Sequence, residues 1–524
     1  MFDLKVLILG GKPVGHGHLF TGKLESPLLI PFHGKPLVMH FEDQFRDFEI
    51  IYALGEKAHK THSLIRKRFS KSTIIKLPDE ISNASTGDCL LHCLKYLDYP
   101  DNILTLHGDN IYQFDDFPNS TSGNLNYTYQ TETRNSNYTF YSNLDEFEDS
   151  YQTLHKESKN WVNTGAHFIK VSSLILRLEG VSIESLIQDA EFVTLNDWID
   201  LGHWDLINRH NILFHARSFN TVSLNSDRSS LRKLSEQSKI LREFIHLTNI
   251  PEEFTFLFPR VRSLIGSQGY EIEYWPLKTL AEYYVFWNQD YLTWSKILSK
   301  LLKLIDRFSS YKIAIVDLEN DLPDIYLKIL DERISQYSQE CLTILKYEFI
   351  SINGIKLKGF ESFSQTLRQD LKRIGHSIKP SFFHGDLCLS NILYCPETEI
   401  IKLIDPKGSF FPENSNCGDF RYDLAKLYHS VIGNYDYFNW SMFSLSHVEN
   451  NFLVDIFKQD NSEAVEDKFR QLLLEYFSLE IYRDVEILAA MLFLTMIPFH
   501  SDSNERQKCF LLQSISMLNH IYPT

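Results

Sequence analysis

Residues 382–406 read FFHGDLCLSNILYCPETEIIKLIDP, and the fold of the C-terminal half turns on how they are folded. An apolar strand brings the chain to Asp386, a short loop follows, and Asn391 leads into ILY. A turn near 396–399 returns through IIKLI to Asp405. Two neighbouring strands of this kind bring Asp386, Asn391 and Asp405 together at one end of a hairpin. Carboxylate and amide oxygens at such a point suit Mg2+, a hard cation that takes oxygen ligands and keeps phosphates among them. A carboxylate left over can accept a proton from an attacking hydroxyl.

The rest of the chain sets the class of protein. Its 524 residues are too many for one ordinary core, so two domains are expected. Apolar residues make up 43% and charged residues 23%, the balance of a globular protein. The formal net charge of −16 speaks against a polynucleotide surface, which needs Lys and Arg to neutralise phosphates. Small phosphorylated ligands stay open, because one pocket can be basic or carry a metal inside an acidic protein. Seven Cys without a CxxC pair give neither a disulfide framework nor a zinc cluster. The opening MFDLKVLILGG reads as a buried strand and not a signal peptide. The late apolar run ILAAMLFLTMIPF is too short to span a membrane. A cytoplasmic enzyme, free of membrane spans and nucleic acid and compatible with a homo-oligomer, is the expected class.

Along the chain, apolar runs at 3–9, 48–54, 73–76 and 102–107 alternate with helix-like segments at 36–46 and 87–97. That alternation predicts βαβ units and a mostly parallel sheet. The texture changes near Asn211: strand-like residues 212–224 lead into a helix from about Glu236, and long amphipathic helices follow from Thr279. The expected fold class is α/β, with a Rossmann-like domain at 1–210 and a bilobal domain at 211–524. The lobes of the second divide near 276.

HGDLCLSN resembles the catalytic loop H-G-D-x-x-x-x-N of the aminoglycoside phosphotransferase and choline kinase superfamily. LIDP resembles the metal-binding I-D that follows it, and GDFRYDLAKL at 418–427 resembles the next G-D-x-x-x-D-L-A. The resemblance, over about 212–510, implies a protein-kinase-like fold that uses ATP. It implies Asp386 as catalytic base, Asn391 and Asp405 as Mg2+ ligands, His384 as a buttress and Asp423 as a brace for the loop. It further implies that Lys233 contacts the phosphates and that Glu243, on the next helix of SSLRKLSEQSKILREFIHL, orients it. EIEYWP at 271–276 falls where the adenine-binding hinge is expected, with Glu273 and Trp275 as candidates. No Gly-rich loop precedes Lys233: the turn reads HARSFNTVSL, so backbone amides near Ser218–Asn220 are expected to cover the phosphates.

A second HGD stands in LTLHGDNIY, with Asp109 just past an apolar strand. Around it, GKPLVMHFEDQ (34–44), STGDCLLHCL (85–94), VNTGAHFIK (162–170) and WIDLGHWDLINRHN (from Trp198) resemble, in order, segments of the sugar-phosphate nucleotidylyltransferases. That resemblance implies attack by a phosphate monoester on the α-phosphorus of an NTP, with pyrophosphate released and Asp109 and Asp200 holding Mg2+. It also implies nucleotide contacts from Gly10, Gly11, Gly15 and, at a helix N-terminus, Gly87. The opening loop departs from the family. Where G-G-x-G-T-R-L is usual, this chain reads GGKPVGHGHLFTGK; the Arg is missing, and Pro27 stands at the usual Lys of P-K-x-L. Lys12 or Lys23 is the candidate replacement, with His16 and His18 as helpers.

Together the two resemblances imply consecutive steps: an ATP-dependent kinase makes X-phosphate, and a nucleotidylyltransferase joins it to CTP, UTP, GTP or dTTP. The product NDP-X would serve surface polysaccharide (capsule) synthesis. X is expected to be a sugar. The alternatives are choline, ethanolamine or glycerol, or a kinase joined to a non-catalytic nucleotide-binding domain. Choline would need an aromatic cage, for which YYVFWNQDYLTW and YDYFNW are candidates. Lys407, Arg421 and Lys426 place positive charge near the loop, which disfavours a cationic acceptor.

Overall fold

The structure is a computed structural model that describes residues 4–11, 24–114, 117, 123–131, 140–141, 160–174, 180–187, 190–201, 220–225, 229–235, 239–287, 289–312, 324–407 and 416–523. It divides into two compact units, the first within residues 1–211 and the second over 212–524.

The first unit is built on a mixed, mostly parallel sheet. Its central strand, Lys5–Leu9, lies between parallel neighbours Glu49–Gly55 and Asn102–His107, and Thr73–Leu77 continues the parallel run beyond Glu49–Gly55. On the other side the long strand Asn160–Lys170 pairs antiparallel with Asn102–His107 and with Leu125–Thr131. KVLIL forms the centre because Val6, Leu7 and Ile8 are apolar toward both faces, and all three are fully buried. The helices Leu37–Gln44 and Thr86–Tyr96 lie where the sequence places them; a third, His59–Arg68, was not anticipated. Chain order decides where a ligand can enter. From the central strand the chain first adds strands on one side, then crosses to Asn102–His107 on the other. The switch point therefore lies between Leu9 and His107, where the crevice of an open α/β sheet forms.

The second unit begins with a four-stranded antiparallel sheet, Asn220–Leu224, Ser230–Ser235, Gly269–Glu273 and Val261–Ile265 in spatial order, with the helix Lys239–Thr248 packed against it. The larger part is helical. Tyr291–Ser310, Phe420–Val431 and Leu479–Met496 supply its core, and a small sheet of Lys278–Thr279, Ile392–Cys395 and Ile400–Leu403 carries the HGD hairpin. The expectation of helices alone beyond Thr279, apart from the motif zone, is corrected by a second four-stranded sheet, two antiparallel hairpins joined by a parallel pairing of Phe349–Ile352 with Asn451–Ile456. Phe349–Ile352, Ile355–Lys358, Phe443–Val448 and Asn451–Ile456 form it. Its first hairpin turns at Asn353-Gly354, both at positive φ, the backbone that two-residue hairpin turns require.

All seven Cys are free, as their spacing implies. Among the described residues no helix is long and apolar enough to cross a membrane.

Candidate active sites

In the second unit the HGD hairpin closes as its sequence requires. Ile392 pairs with Leu403, and the Ile404 amide donates to the Asn391 carbonyl at 3.0 Å, so Asn391 and Asp405 sit at one end of the two strands. The Asn391 side-chain amide donates to the Asp386 carbonyl at 2.8 Å. That bond fixes the amide plane and commits its nitrogen, leaving the oxygen as the end suited to a cation. Asp405 has φ 56°, a left-handed backbone that turns its carboxylate out of the strand line.

Asp423 holds the loop from beneath. Its two carboxylate oxygens accept from the His384 and Gly385 amides, each at 2.7 Å. Burial raises the Asp423 carboxyl to about 7 against the pull of those two amides. Gly385 is required twice over, by its φ of +82° and by the Phe383 ring, which a Cβ would meet at 3.0 Å. His384 is buried and used on both nitrogens: Nδ1 accepts from the Asp386 amide, so Nε2 donates to the Ile404 carbonyl at 3.0 Å. Burial lowers its pKa to about 4, and the neutral ring buttresses the loop.

Lys233 extends from the strand Ser230–Ser235 and meets Glu243 of the following helix at 2.7 Å. The same ammonium is 3.0 Å from Asp405, and the Tyr270 hydroxyl donates to Glu243 at 3.1 Å. Burial disfavours the Lys233 charge, but Asp405, Tyr270 and Glu243 more than restore it. Five sequence candidates are thereby gathered in one region: Lys233, Glu243, Asp386, Asn391 and Asp405. The donors fit a Mg2+ carried on phosphate, since Asn391 and Asp405 offer oxygens at one hairpin end. Among the described residues no three His, Cys, Asp or Glu converge as a ready metal cage, so phosphate oxygens would have to complete such a site.

Glu273 ends its strand, and the following residues lead into the helical part, where Tyr274 donates its amide to the Ser229 carbonyl. Trp275 is half-buried with the Lys402 ammonium 4.5 Å above its ring, which in this structure covers one face of the expected adenine platform. Residues 218 and 219 lie outside those described, and Asn220 starts a strand.

Charge near the loop is sorted by the structure. Arg421 is buried and bound to Asp419 at 2.9 Å and Asp484 at 2.7 Å, so its charge, expected to disfavour a cationic acceptor, is neutralised and ties helices together. Lys426 was weighed only as nearby charge, yet it lies 2.9 Å from the Asp386 carboxylate. Lys407 bonds the Tyr422 hydroxyl at 3.0 Å. The aromatic runs considered for a choline cage are core: Tyr283, Tyr284, Phe286, Trp287, Trp294, Tyr435, Tyr437, Phe438 and Trp440 are all buried, and only Tyr291 is exposed.

In the first unit Gly10 and Gly11 follow the central strand, and Gly108-Asp109 follows its neighbour; the Gly108 amide donates to the Leu9 carbonyl at 3.0 Å. Asp200 pairs with Asn110 on an antiparallel ladder, and the Leu201 amide donates to the Asp109 carbonyl at 2.8 Å. Asp109 and Asp200 thus come from two strand ends to one place at the switch point. Burial raises the Tyr112 hydroxyl well above its ordinary range, and Asp109 and Asp200 beside it add to the rise. Gly165, at φ +73°, interrupts the strand Asn160–Lys170 and packs on His107.

Gly87 is closely packed. Its amide goes to the Val181 carbonyl at 3.2 Å, and a Cβ there would lie 2.4 Å from that oxygen. Asp88 caps the helix together with Ser85 and accepts from the Gly180 amide. The chain's own residues 180–183 pack on this helix N-terminus, and Gly87 permits their close approach. Pro27 is buried in a short 3-10 turn whose Ser26 hydroxyl donates to the Gly10 carbonyl, so this position closes the turn after the central strand with apolar groups. Lys12, Gly15, His16, His18 and Lys23 lie outside the described residues.

No protein family matches the chain, and no curated protein matches it in sequence. Solved structures resemble its parts. HddC from Yersinia pseudotuberculosis, solved with GMP-PN, is 15% identical over 40% of this chain and 98% of its own, with a TM-score of 0.32. CTP:phosphocholine cytidylyltransferase from Streptococcus pneumoniae is 14% identical over 39% of this chain and 96% of its own, with a TM-score of 0.29. An ethanolamine kinase from Plasmodium vivax is 15% identical over 58% of this chain and 80% of its own, with a TM-score of 0.34. The first two kinds of neighbour match the N-terminal part and the kinases the C-terminal part. At such identities and scores, the chemistry of each site has to be read from its own residues.

Proposed function

We propose that the chain is a two-site enzyme that phosphorylates a small hydroxyl compound with ATP and couples the resulting phosphate to a second NTP, releasing pyrophosphate. The observation that carries the kinase half is the gathering of Lys233, Glu243 and Asp405 by ion pairs of 2.7 and 3.0 Å, within the unit whose Asp423-braced loop presents Asp386 and Asn391.

In this reading Lys233, held by Glu243, binds the ATP phosphates. Asn391 and Asp405 would hold Mg2+, which would neutralise phosphate charge when bound. Asp386 accepts the proton of the acceptor hydroxyl as its oxygen attacks the γ-phosphorus. In the first unit Asp109 and Asp200 would hold the ion of the coupling step. The backbone after Leu9 lines the crevice for the nucleotide, with Lys12 or Lys23 as its cation.

The acceptor proposed is a sugar, and NDP-X a donor for a surface polymer such as a capsule. The burial of the aromatic runs supports a sugar over choline, because a cage for a quaternary ammonium needs exposed ring faces. The test is to incubate the full chain with Mg2+ and ATP against a panel of sugars and amino alcohols and to identify products by mass spectrometry. A phosphorylated sugar supports the reading. Phosphorylation of choline or ethanolamine alone would replace the acceptor, and ADP formation with no acceptor on the panel phosphorylated would count against a small-molecule kinase.

A further inference from the structure

Among the described groups around the catalytic loop, Lys426 is a buried cation that neither the metal, the brace nor the phosphate lysine accounts for. It rises from the helix Phe420–Val431, three residues after the bracing Asp423, and its side chain is 7% exposed. Its ammonium lies 2.9 Å from Asp386 Oδ1. The Met496 sulfur, a weak acceptor, is 3.8 Å away, and the Tyr422 ring centre is 6.0 Å away. Burial opposes the charge, and the Asp386 carboxylate outweighs it, so the ammonium keeps its proton.

An ammonium has three N–H donors. Among the described residues, one strong acceptor and one thioether answer those of Lys426. A buried donor without a strong partner is costly in a resting protein and useful where an oxygen acquires charge during reaction. The loop itself carries no cation between Asp386 and Asn391, since the intervening residues are Leu387, Cys388, Leu389 and Ser390.

We propose that Lys426 is a catalytic residue of the phosphoryl transfer: it holds Asp386 Oδ1 and offers its remaining donors to an oxygen of the phosphoryl group as it passes to the acceptor. The step, which rests on the kinase reading above, balances as follows. The acceptor oxygen forms a bond to the γ-phosphorus of ATP, and its proton goes to Asp386 Oδ2. The bond from the γ-phosphorus to the bridging oxygen breaks, and ADP leaves with that electron pair. Lys426 stays protonated throughout and stabilises the negative charge spread over the transferring group.

The test compares the full-length wild type with Lys426→Met, Lys426→Arg, Asp386→Asn and the double variant Lys426→Met/Asp386→Asn, in steady-state kinetics with Mg2+, ATP and the acceptor found for the wild type. Lys426→Met is expected to lower kcat roughly a hundredfold while the KM for ATP changes by less than about threefold, with partial rescue in Lys426→Arg. The double variant is expected to be slower than Asp386→Asn alone, because a donor to the phosphoryl group is lost beyond the positioning of the base. Equal rates in the double variant and Asp386→Asn would overturn the contact with the phosphoryl group, and so would a Lys426→Met enzyme with unaltered kcat. A rise in KM for ATP matching the fall in kcat, with no rescue by Arg, would reduce Lys426 to a structural role. If Asp386→Asn is inactive while Lys426→Met keeps the wild-type kcat, the kinase reading stands and this one falls. A wild type that phosphorylates nothing removes both.

Discussion

The Lys233 ammonium lies 3.0 Å from the Asp405 carboxylate, joining a strand of the small antiparallel sheet to the end of the HGD hairpin. The pair is buried on the lysine side, where Glu243 is a second partner, so one cation serves two carboxylates. Lys233→Met is expected to abolish ATP-dependent phosphorylation and to cost about 3 kcal/mol of stability by leaving buried Glu243 uncompensated. Lys233→Met/Glu243→Gln should recover most of the lost Tm and none of the activity. ADP formation and thermal melting check both parts; phosphorylation surviving in Lys233→Met would contradict the assigned role.

The two HGD triplets belong to different units and are assigned different chemistry. Asp386→Ala should stop phosphorylation of X and spare coupling of supplied X-phosphate, whereas Asp109→Ala or Asp200→Ala should do the reverse. Each half-reaction is measured separately, by ADP and by pyrophosphate release. Loss of both activities from any one of these substitutions in a folded protein would break the division of labour.

Gly165 bears on the first unit alone. A Cβ at this position would lie 2.5 Å from His107 Nδ1, on a backbone at φ +73°. Gly165→Ala should therefore destabilise the unit by about 1–3 kcal/mol and push His107 toward the turn that carries Asp109. Coupling activity should fall, with phosphorylation unchanged. A variant with wild-type melting and coupling would show that the strand tolerates the side chain.

Asp436 gives a pH-dependent test of burial. The carboxyl is fully buried, and burial raises it from 3.8 to about 7, only partly offset by Ser430 and Lys426. A group raised in the folded state supports folding below its unfolded value and loses that support as pH rises through the folded value. Asp436→Asn should match the wild type near pH 4 and become progressively more stable than it between pH 4 and 7. The limiting slope is about 1.4 kcal/mol per pH unit. Melting curves from pH 4 to 8 measure it, and a constant difference across that range would mean Asp436 titrates normally.

What could be read from the sequence was local or strongly periodic. HGDLCLSN fixes its own loop, because the spacing of Asp386 and Asn391 is set by a few backbone bonds, and LIDP returns on the adjacent strand. The parallel strands followed from continuous apolar runs such as KVLIL. The packing at Gly87 was not legible, because Ser85-Thr86-Gly87-Asp88 caps a helix in the same way whether or not residues from Val181 approach it. Arg421 and Lys426 looked alike in sequence as charges beside one motif. Their partners, Asp484 and Asp386, lie far along the chain, and only the packing of helices separates a structural ion pair from one at the catalytic loop. The inserted sheet was missed because its strands are short and half exposed, although Asn353-Gly354 was a turn signal in plain view.

The central claim is that one chain carries out both steps. The most direct measurement is pyrophosphate release by the full-length protein with Mg2+, ATP, the acceptor and each of CTP, UTP, GTP and dTTP in turn, with the nucleotide product identified by mass spectrometry. The account predicts NDP-X and pyrophosphate only when ATP and one particular second NTP are both present, and from supplied X-phosphate without ATP. Phosphorylated X with no pyrophosphate under any nucleotide, even when X-phosphate is supplied, would contradict it and leave the first unit without the coupling activity.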